Sequence, residues 1–167
     1  QFYVKVYFYG GFYTSFRYKN FMLNAHFTYS YGNKIYNAVR RQGESMKDYF
    51  GQTQAVLSAW RYEGQQTDVP RAVYGDPMDN STFSSRWIED GSYLKLKNLT
   101  LNYEYPGKFW IFQKMQAYIS ADNLITWTKY LGYDPEFAYS YDHYMLGVDY
   151  GKVPGATTVK LGIRLGF

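Results

Sequence analysis

The sequence predicts an all-β chain, an antiparallel transmembrane β-barrel segment with long extracellular loops. Three observations predict it. Residues 157–167 alternate apolar and polar without a break, about the length that crosses a bilayer as a tilted strand. The connections between such runs alternate short and long, as they do in outer-membrane barrels. The apolar content is carried by rings rather than by aliphatic side chains: 21 Tyr, 12 Phe and 4 Trp make aromatics 22% of the 167 residues. No apolar run reaches the roughly 18 residues of a membrane helix. Mean hydropathy is −0.48, which fits alternating barrel strands equally well.

The elements follow in chain order. Phe12, Thr14, Phe16 and Tyr18 alternate with Tyr13, Ser15, Arg17 and Lys19. After Lys19-Asn20 the alternation resumes with Phe21, Leu23, Ala25, Phe27, Tyr29 and Tyr31 against Met22, Asn24, His26, Thr28 and Ser30. Two such runs around a two-residue connection predict a tight hairpin. Residues 1–10 carry no pattern. Met46, Tyr49, Phe50, Val56, Leu57 and Trp60 predict a loop helix over Ser45–Trp60, weakened by Gly51 and Thr53. Residues 64–86 are rich in turn formers and contain Pro70 and Pro77. The next strand spans Tyr93–Tyr105, with Leu94 and Leu96 on one parity and Leu99, Leu101, Tyr103 and Tyr105 on the other. The slip near Lys97-Asn98 predicts a β-bulge or an exit from the membrane. Pro106-Gly107 ends that strand, and Met115, Ala117, Ile119 and Ala121 open another that runs to about Thr128. The last strand places Thr157, Val159, Leu161, Ile163, Leu165 and Phe167 on one face and Thr158, Lys160, Gly162, Arg164 and Gly166 on the other.

Five strands therefore have short connections at 19–20 and 106–114 and long ones at 32–92 and 129–156. With the C-terminal end on the periplasmic side, the long segments lie outside. A charge at Ile163 or Leu161 is then expected to harm assembly, and Gly162→Lys on the opposite face to be milder. A soluble sandwich, in which a second sheet meets the apolar face, uses the same alternation.

No enzyme chemistry is written in the sequence. Nucleotide-binding glycine loops, the nucleophile elbow and the zinc-protease motif are absent. There is no cysteine, and the two histidines, His26 and His143, stand apart. No cofactor is implied. Net charge is +4 with no polybasic run, so nothing supports nucleic-acid binding. Asp134, Glu136, Asp142 and Asp149 cluster as calcium ligands do, but without EF-hand spacing, and a solvated acidic loop is the expectation. Tyr29, Tyr31, Tyr103, Tyr105, Trp127 and Tyr130 are candidates for the aromatic girdles at lipid-headgroup level. Tyr133, Tyr139, Tyr141, Tyr144 and Tyr150, with Asp134, are candidates for contact with a ligand or partner, because a ring offers much area at low entropic cost. Loop packing is the competing role for them.

Several motifs carry a family likeness. Arg86–Leu101 (RWIEDGSYLKLKNLTL) resembles the late-barrel signature of SusC/RagA-type TonB-dependent transporters. Asn123–Tyr130 (NLITWTKY) followed by Gly132–Glu136 (GYDPE) does so too, as do Gly147–Gly151 (GVDYG) with Pro154 and the terminal strand ending in Phe167. Tyr18–Phe21 and Tyr31–Asn37 resemble the preceding hairpin of that family. Asn102 departs from the pattern, which has a small residue there. The resemblance implies that residues 1–167 are the C-terminal part of an outer-membrane barrel of about 22 strands. The plug and the TonB-binding segment would lie outside this chain. It further implies import of glycans or peptides, localisation in the bacterial outer membrane and a SusD-like surface lipoprotein as partner. Val159, Leu161, Ile163, Leu165 and Phe167 would form an assembly signal. A non-transporting barrel, serving as an adhesin or a subunit of an assembly complex, is the alternative.

Overall fold

A computed structural model describes residues 6–108, 111–136 and 147–167. Its main element is a five-stranded antiparallel sheet in the order β1-β2-β5-β6-β8. These are β1 (Phe8–Tyr18), β2 (Phe21–Tyr31), β5 (Tyr93–Glu104), β6 (Lys114–Thr128) and β8 (Thr158–Gly166). Between them lie β3 (Lys34–Asn37), β4 (Ile88–Asp90) and β7 (Val148–Asp149), which form a second, three-stranded sheet in the order β4-β3-β7. The five predicted strands are all present. β1 begins earlier than the alternation indicated, at Phe8, where Phe8 pairs with Tyr31.

The sheet has two chemically distinct faces. Direct partners share a face, and Leu165, Ile163, Leu161 and Val159 of β8 lie opposite Met115, Ala117, Ile119 and Ala121 of β6. The same face continues through Tyr103, Leu101 and Leu99 to Phe21, Leu23 and Ala25, and on to Tyr18, Phe16 and Thr14. No described element covers it: Leu161 is 79% exposed and Phe167 84%. Cross-strand ring pairs line it, with centroids 4.7 Å apart for Phe12–Phe27, 4.9 Å for Phe21–Tyr103 and 5.0 Å for Phe8–Tyr31. Each such pair is worth about 0.2–1 kcal/mol.

The phase slip in β5 is a bulge, and it keeps the apolar face continuous. His26 pairs with Asn98 and Phe27 with Leu96, so Lys97 is the extra residue against β2. Without it, Leu94 and Leu96 would turn to the opposite face from Leu99 and Leu101. With it, Leu94 lies opposite Tyr29 and Trp127, and Leu96 opposite Phe27 and Ile125. On β6 the same point is marked by Asn123 at φ 52°, whose side chain donates to Ala156 O at 3.1 Å.

The Lys19-Asn20 turn is tight, with Lys19 at φ 50°. This turn, both described ends of the 105–113 connection and the end of β8 sit at one end of the sheet: Glu104 N donates to Asn20 O, and Gln113 N to Gly166 O. The two long segments leave from the other end. Gly162 is held by the Tyr118 ring, and a Cβ there would run into that ring. Gly162→Lys therefore requires the Tyr118 ring to swing aside.

The helix expected over Ser45–Trp60 is absent. The helix of this segment is α1 (Ala38–Gly43), where the Asn37 side chain accepts from Arg40 N at 2.8 Å as an N-cap. Three local features stop helix formation further on. Met46 adopts φ 50°, the Asp48 carboxylate takes Phe50 N in a turn, and Gly51 follows. Only a 3₁₀ turn at Gln54–Ser58 remains. Tyr49 and Phe50, placed on the expected packing side, are exposed.

Candidate functional site

The polar face of the sheet is a hydrogen-bonded ladder. Asn98 Nδ2 donates to Asp122 Oδ1 at 2.6 Å and to Ser120 at 3.0 Å, and Thr100 meets Ser120 at 2.8 Å. Lys160 pairs with Asp122 at 2.7 Å and Arg17 with Glu104 at 3.4 Å. These side chains need water or each other, so this face cannot meet hydrocarbon. Near the loop end, Lys95 is buried and clamps the second long segment: its Nζ lies 2.7 Å from Asp134 and 3.2 Å from Glu136. Lys97, the bulge residue, also reaches Glu136 at 2.7 Å.

Beyond the sheet, the described parts of the two long segments are folded into one cap. Its core is Trp87, 0% exposed, with Tyr36 and Ala38, and with Ile88 and Val148 against them. The Trp87 indole donates to Thr82 O at 3.0 Å, and the Arg86 guanidinium lies 4.5 Å over the ring. Around this core runs a charged network. Arg40 pairs with Glu44 at 2.8 Å and with Glu89 at 3.1 Å. Burial works against the Arg40 charge, but these two carboxylates outweigh it and the guanidinium pKa rises. Arg86 is 3.8 Å from Glu44; its own burial dominates and lowers its pKa.

The segments are joined at two places, through β3–β7 and through Glu89, and Tyr130 braces the second segment within itself. β3 pairs with β7 in parallel through Tyr36↔Val148 and Asn37↔Asp149. Leu131 N donates to Glu89 Oε2 at 2.9 Å, and the Tyr130 hydroxyl donates to Asp149 at 2.5 Å. Burial, then Asp149, push the Tyr130 hydroxyl pKa up.

Asp76 fixes the stretch leading to Trp87. It sits at φ 47° and accepts from the Ser81 hydroxyl at 2.6 Å, Ser81 N at 2.7 Å and Asn80 N at 2.9 Å. Burial opposes its ionisation, but those donors outweigh burial and hold its pKa below the usual carboxylate value. A carboxylate depressed in the folded state contributes stability above its unfolded pKa. That contribution is lost as pH falls through the folded value. Acidification is therefore expected to lower the amide-exchange protection factors over 76–87, each rate taken relative to the intrinsic rate at the same pH. Asp76→Asn should remove that pH dependence and cost about 1 kcal/mol at neutral pH. Protection factors in Asp76→Asn that still fall on acidification as in the parent would contradict the assignment.

The predicted site residues divide. Tyr133 and Tyr150 are exposed on the cap. Asp134 faces Lys95 and its side chain is 10% exposed. Tyr139, Tyr141 and Tyr144 lie outside the described residues, as do His143 and Asp142. The expectation of a solvated acidic loop is overturned for Asp134, Glu136 and Asp149. The first two are paired with lysines, and Asp149 accepts from Tyr130, Gly151 N and Lys152 N. Among the described residues no group of acidic or histidine side chains is arranged to hold a metal. Tyr130, expected in a girdle, is 5% exposed within the cap, whereas Tyr31, Tyr105 and Trp127 are exposed as a girdle requires. Glu89, Arg40 and Lys95 were missed by sequence reasoning. A charged residue in a loop or strand carries no signal of a partner tens of residues away, as Glu89 is to Arg40 and Asp134 to Lys95.

No protein-family model matches the chain. Among curated proteins it is 34% identical over 166 residues to TonB-dependent receptor P3 of Formosa agariphila, and 28% identical to receptor P26 of the same organism. Each alignment covers 94% of this chain and 16% of the relative. Among solved structures it superimposes on the RagAB peptide importer. In the open-open state the TM-score is 0.77 at 28% identity, covering 98% of this chain and 17% of that one. In the closed-closed state the score is 0.79 at 30% identity, covering 95% and 17%. The chain belongs to the SusC/RagA-type TonB-dependent receptors. It spans about a sixth of the length of its curated relatives, which share 16% of their length with it. In this barrel segment the exposed apolar face is the lipid face and the polar ladder is the lumen face. No described helix is long and apolar enough to cross a membrane, and the crossing elements are the strands.

Proposed function

We propose that the chain forms the C-terminal part of a TonB-dependent importer in the bacterial outer membrane, one that takes up glycans or peptides. It contributes wall strands and two extracellular loops to the barrel. The plug and the TonB-binding segment belong to other parts of the receptor, and a SusD-like surface lipoprotein sits over the loops. The observation that carries this reading is the sheet itself. One face is apolar and uncovered, the other polar and internally bonded. All short connections are at one end and the knitted cap at the other, over nearly the whole length that superimposes on the RagAB importer.

In this reading Tyr133 and Tyr150, exposed on the cap, are contact residues for ligand or partner, with Tyr139, Tyr141 and Tyr144 beside them in sequence. Asp134 serves by holding Tyr133 in place through Lys95. Val159, Leu161, Ile163, Leu165 and Phe167 act as the signal read during barrel assembly.

Uptake tests the function. Cells carrying the full receptor should accumulate fluorescent oligopeptides or oligosaccharides only when TonB is intact, at unchanged surface level of receptor. Accumulation of neither class, together with adhesion that depends on the receptor, would favour the non-transporting barrel.

A further inference from the structure

We infer that the outer rim of the lipid face holds one phosphate-bearing lipid of the outer leaflet, with an acyl chain in an aromatic groove and the phosphate between Lys129 and Lys34. The groove is an open cavity of about 580 Å³ at the cap end of the sheet. Its floor is the row Tyr29–Leu94–Trp127, which crosses β2, β5 and β6 on the lipid face. Phe8, stacked on Tyr31 at 5.0 Å, forms one side. Phe8, Leu94 and Trp127 are exposed, and no described element fills the groove.

The top of the groove changes character. No paired position on the lipid face of the five strands carries a charge. Lys129, two residues past Trp127 and on the same parity, lines the groove together with Ser92 and Asp90. Two residues span about 7 Å of strand, enough to carry a lysine from the aromatic girdle to the headgroups. Lys34 lies directly opposite Asp90 in the β3–β4 pairing. The Asp90 carboxylate is already engaged: it accepts from the Ser92 hydroxyl at 2.6 Å and from Ser92 N at 3.0 Å. These bonds hold its pKa below the usual carboxylate value; burial opposes them, and the charges of Lys34 and Lys129 reinforce them. Both lysines therefore act on one point of the rim. Both are exposed, and neither makes a hydrogen bond or ion pair with any described residue.

An apolar floor below a cationic rim matches an amphiphile with an anionic head. Two ammonium groups against one carboxylate leave the rim positive, and a phosphate accepts from both lysines in charge-assisted hydrogen bonds. Basic pockets at the edge of membrane-spanning elements hold lipid phosphates in this way. A free phosphate gains nothing from Phe8 and Trp127, and a neutral lipid gains nothing from the lysines. The choice of leaflet rests on the cap lying outside the cell. Binding does not, so it is measured in detergent, where it can fail or succeed independently of orientation and of import.

The full receptor, purified in a neutral detergent, is irradiated with monophosphorylated lipid A carrying a diazirine on one acyl chain, and adducts are mapped by mass spectrometry after peptic digestion. Adducts should concentrate on peptides holding Leu94 and Trp127, above those holding Leu161 and Ile163 on the same face away from the groove. Lys34→Gln combined with Lys129→Gln should lower the adducts at Leu94 and Trp127 about tenfold, as expected for two lost lysine–phosphate contacts. Adducts at Leu161 and Ile163 should not change, which also reports an intact wall. The dephosphorylated probe should label the parent as weakly as the phosphorylated probe labels the double variant, and excess inorganic phosphate should leave the adducts in place. Even labelling of both sets of peptides, an unchanged pattern in the double variant, equal labelling by the dephosphorylated probe, or displacement by inorganic phosphate would each overturn the proposal.

Discussion

Trp87→Ala is expected to destabilise the cap by about 3–5 kcal/mol while leaving the barrel sheet intact. The indole is fully buried and is the centre on which Tyr36, Ala38, Ile88 and Val148 converge. Its removal leaves a cavity, strands the Thr82 carbonyl that the indole satisfies, and takes away the ring under the Arg86 guanidinium. Because β3 and β7 come from different long segments, both segments should loosen together. Amide exchange in the full receptor reads this directly. Residues 34–37, 88–90 and 148–149 should exchange faster by a common factor, with β5 and β6 unchanged. Loosening confined to one segment would show that the cap is not a single unit.

On the wall, Ile163→Arg is expected to cost about 2–4 kcal/mol, the range for a guanidinium near the bilayer midplane. Ile163 lies mid-strand on the lipid face opposite Ala117 and is 66% exposed there. Arg164→Gln, one residue on and opposite Gln116 in the lumen, changes charge on a face that meets water and should have little effect. The folded fraction of receptor in isolated outer membranes distinguishes the two. Deleting Phe167, whose ring meets Phe112 at 5.0 Å, should lower the same fraction by slowing assembly. Equal damage from Ile163→Arg and Arg164→Gln would mean that the faces are assigned wrongly.

The strands were legible because a barrel wall writes its two solvents into alternate residues. Even the bulge at Lys97 showed as a change of parity in the leucines of β5. The cap was not legible in the same way. Its strands are two to four residues long and pair positions near 34, 88 and 148, too short for any period to appear. Tyr130 reads as a girdle residue from its place after β6. It is buried because Asp149, 19 residues on, accepts its hydroxyl. The helix expected at Ser45–Trp60 rested on spacing alone. The backbone conformation of Met46 and the turn at Asp48, which spacing does not report, prevent it. For the candidate contacts, the sequence offered Tyr133 and Tyr150 by ring type alone, with loop packing as the competing role. It showed neither that they are exposed nor that Asp134 beside Tyr133 is tied down by Lys95.

The orientation of this sheet is open to one direct measurement. The chain has no cysteine, so single cysteines can be placed at Glu63 and Val153 in the cap and at Lys108 in the short connection, all exposed, in a receptor otherwise free of cysteine. An impermeant maleimide applied to intact cells should label the cysteines at 63 and 153 and reach the one at 108 only after the outer membrane is permeabilised. Labelling of 108 on intact cells, with 63 and 153 protected, would contradict the account.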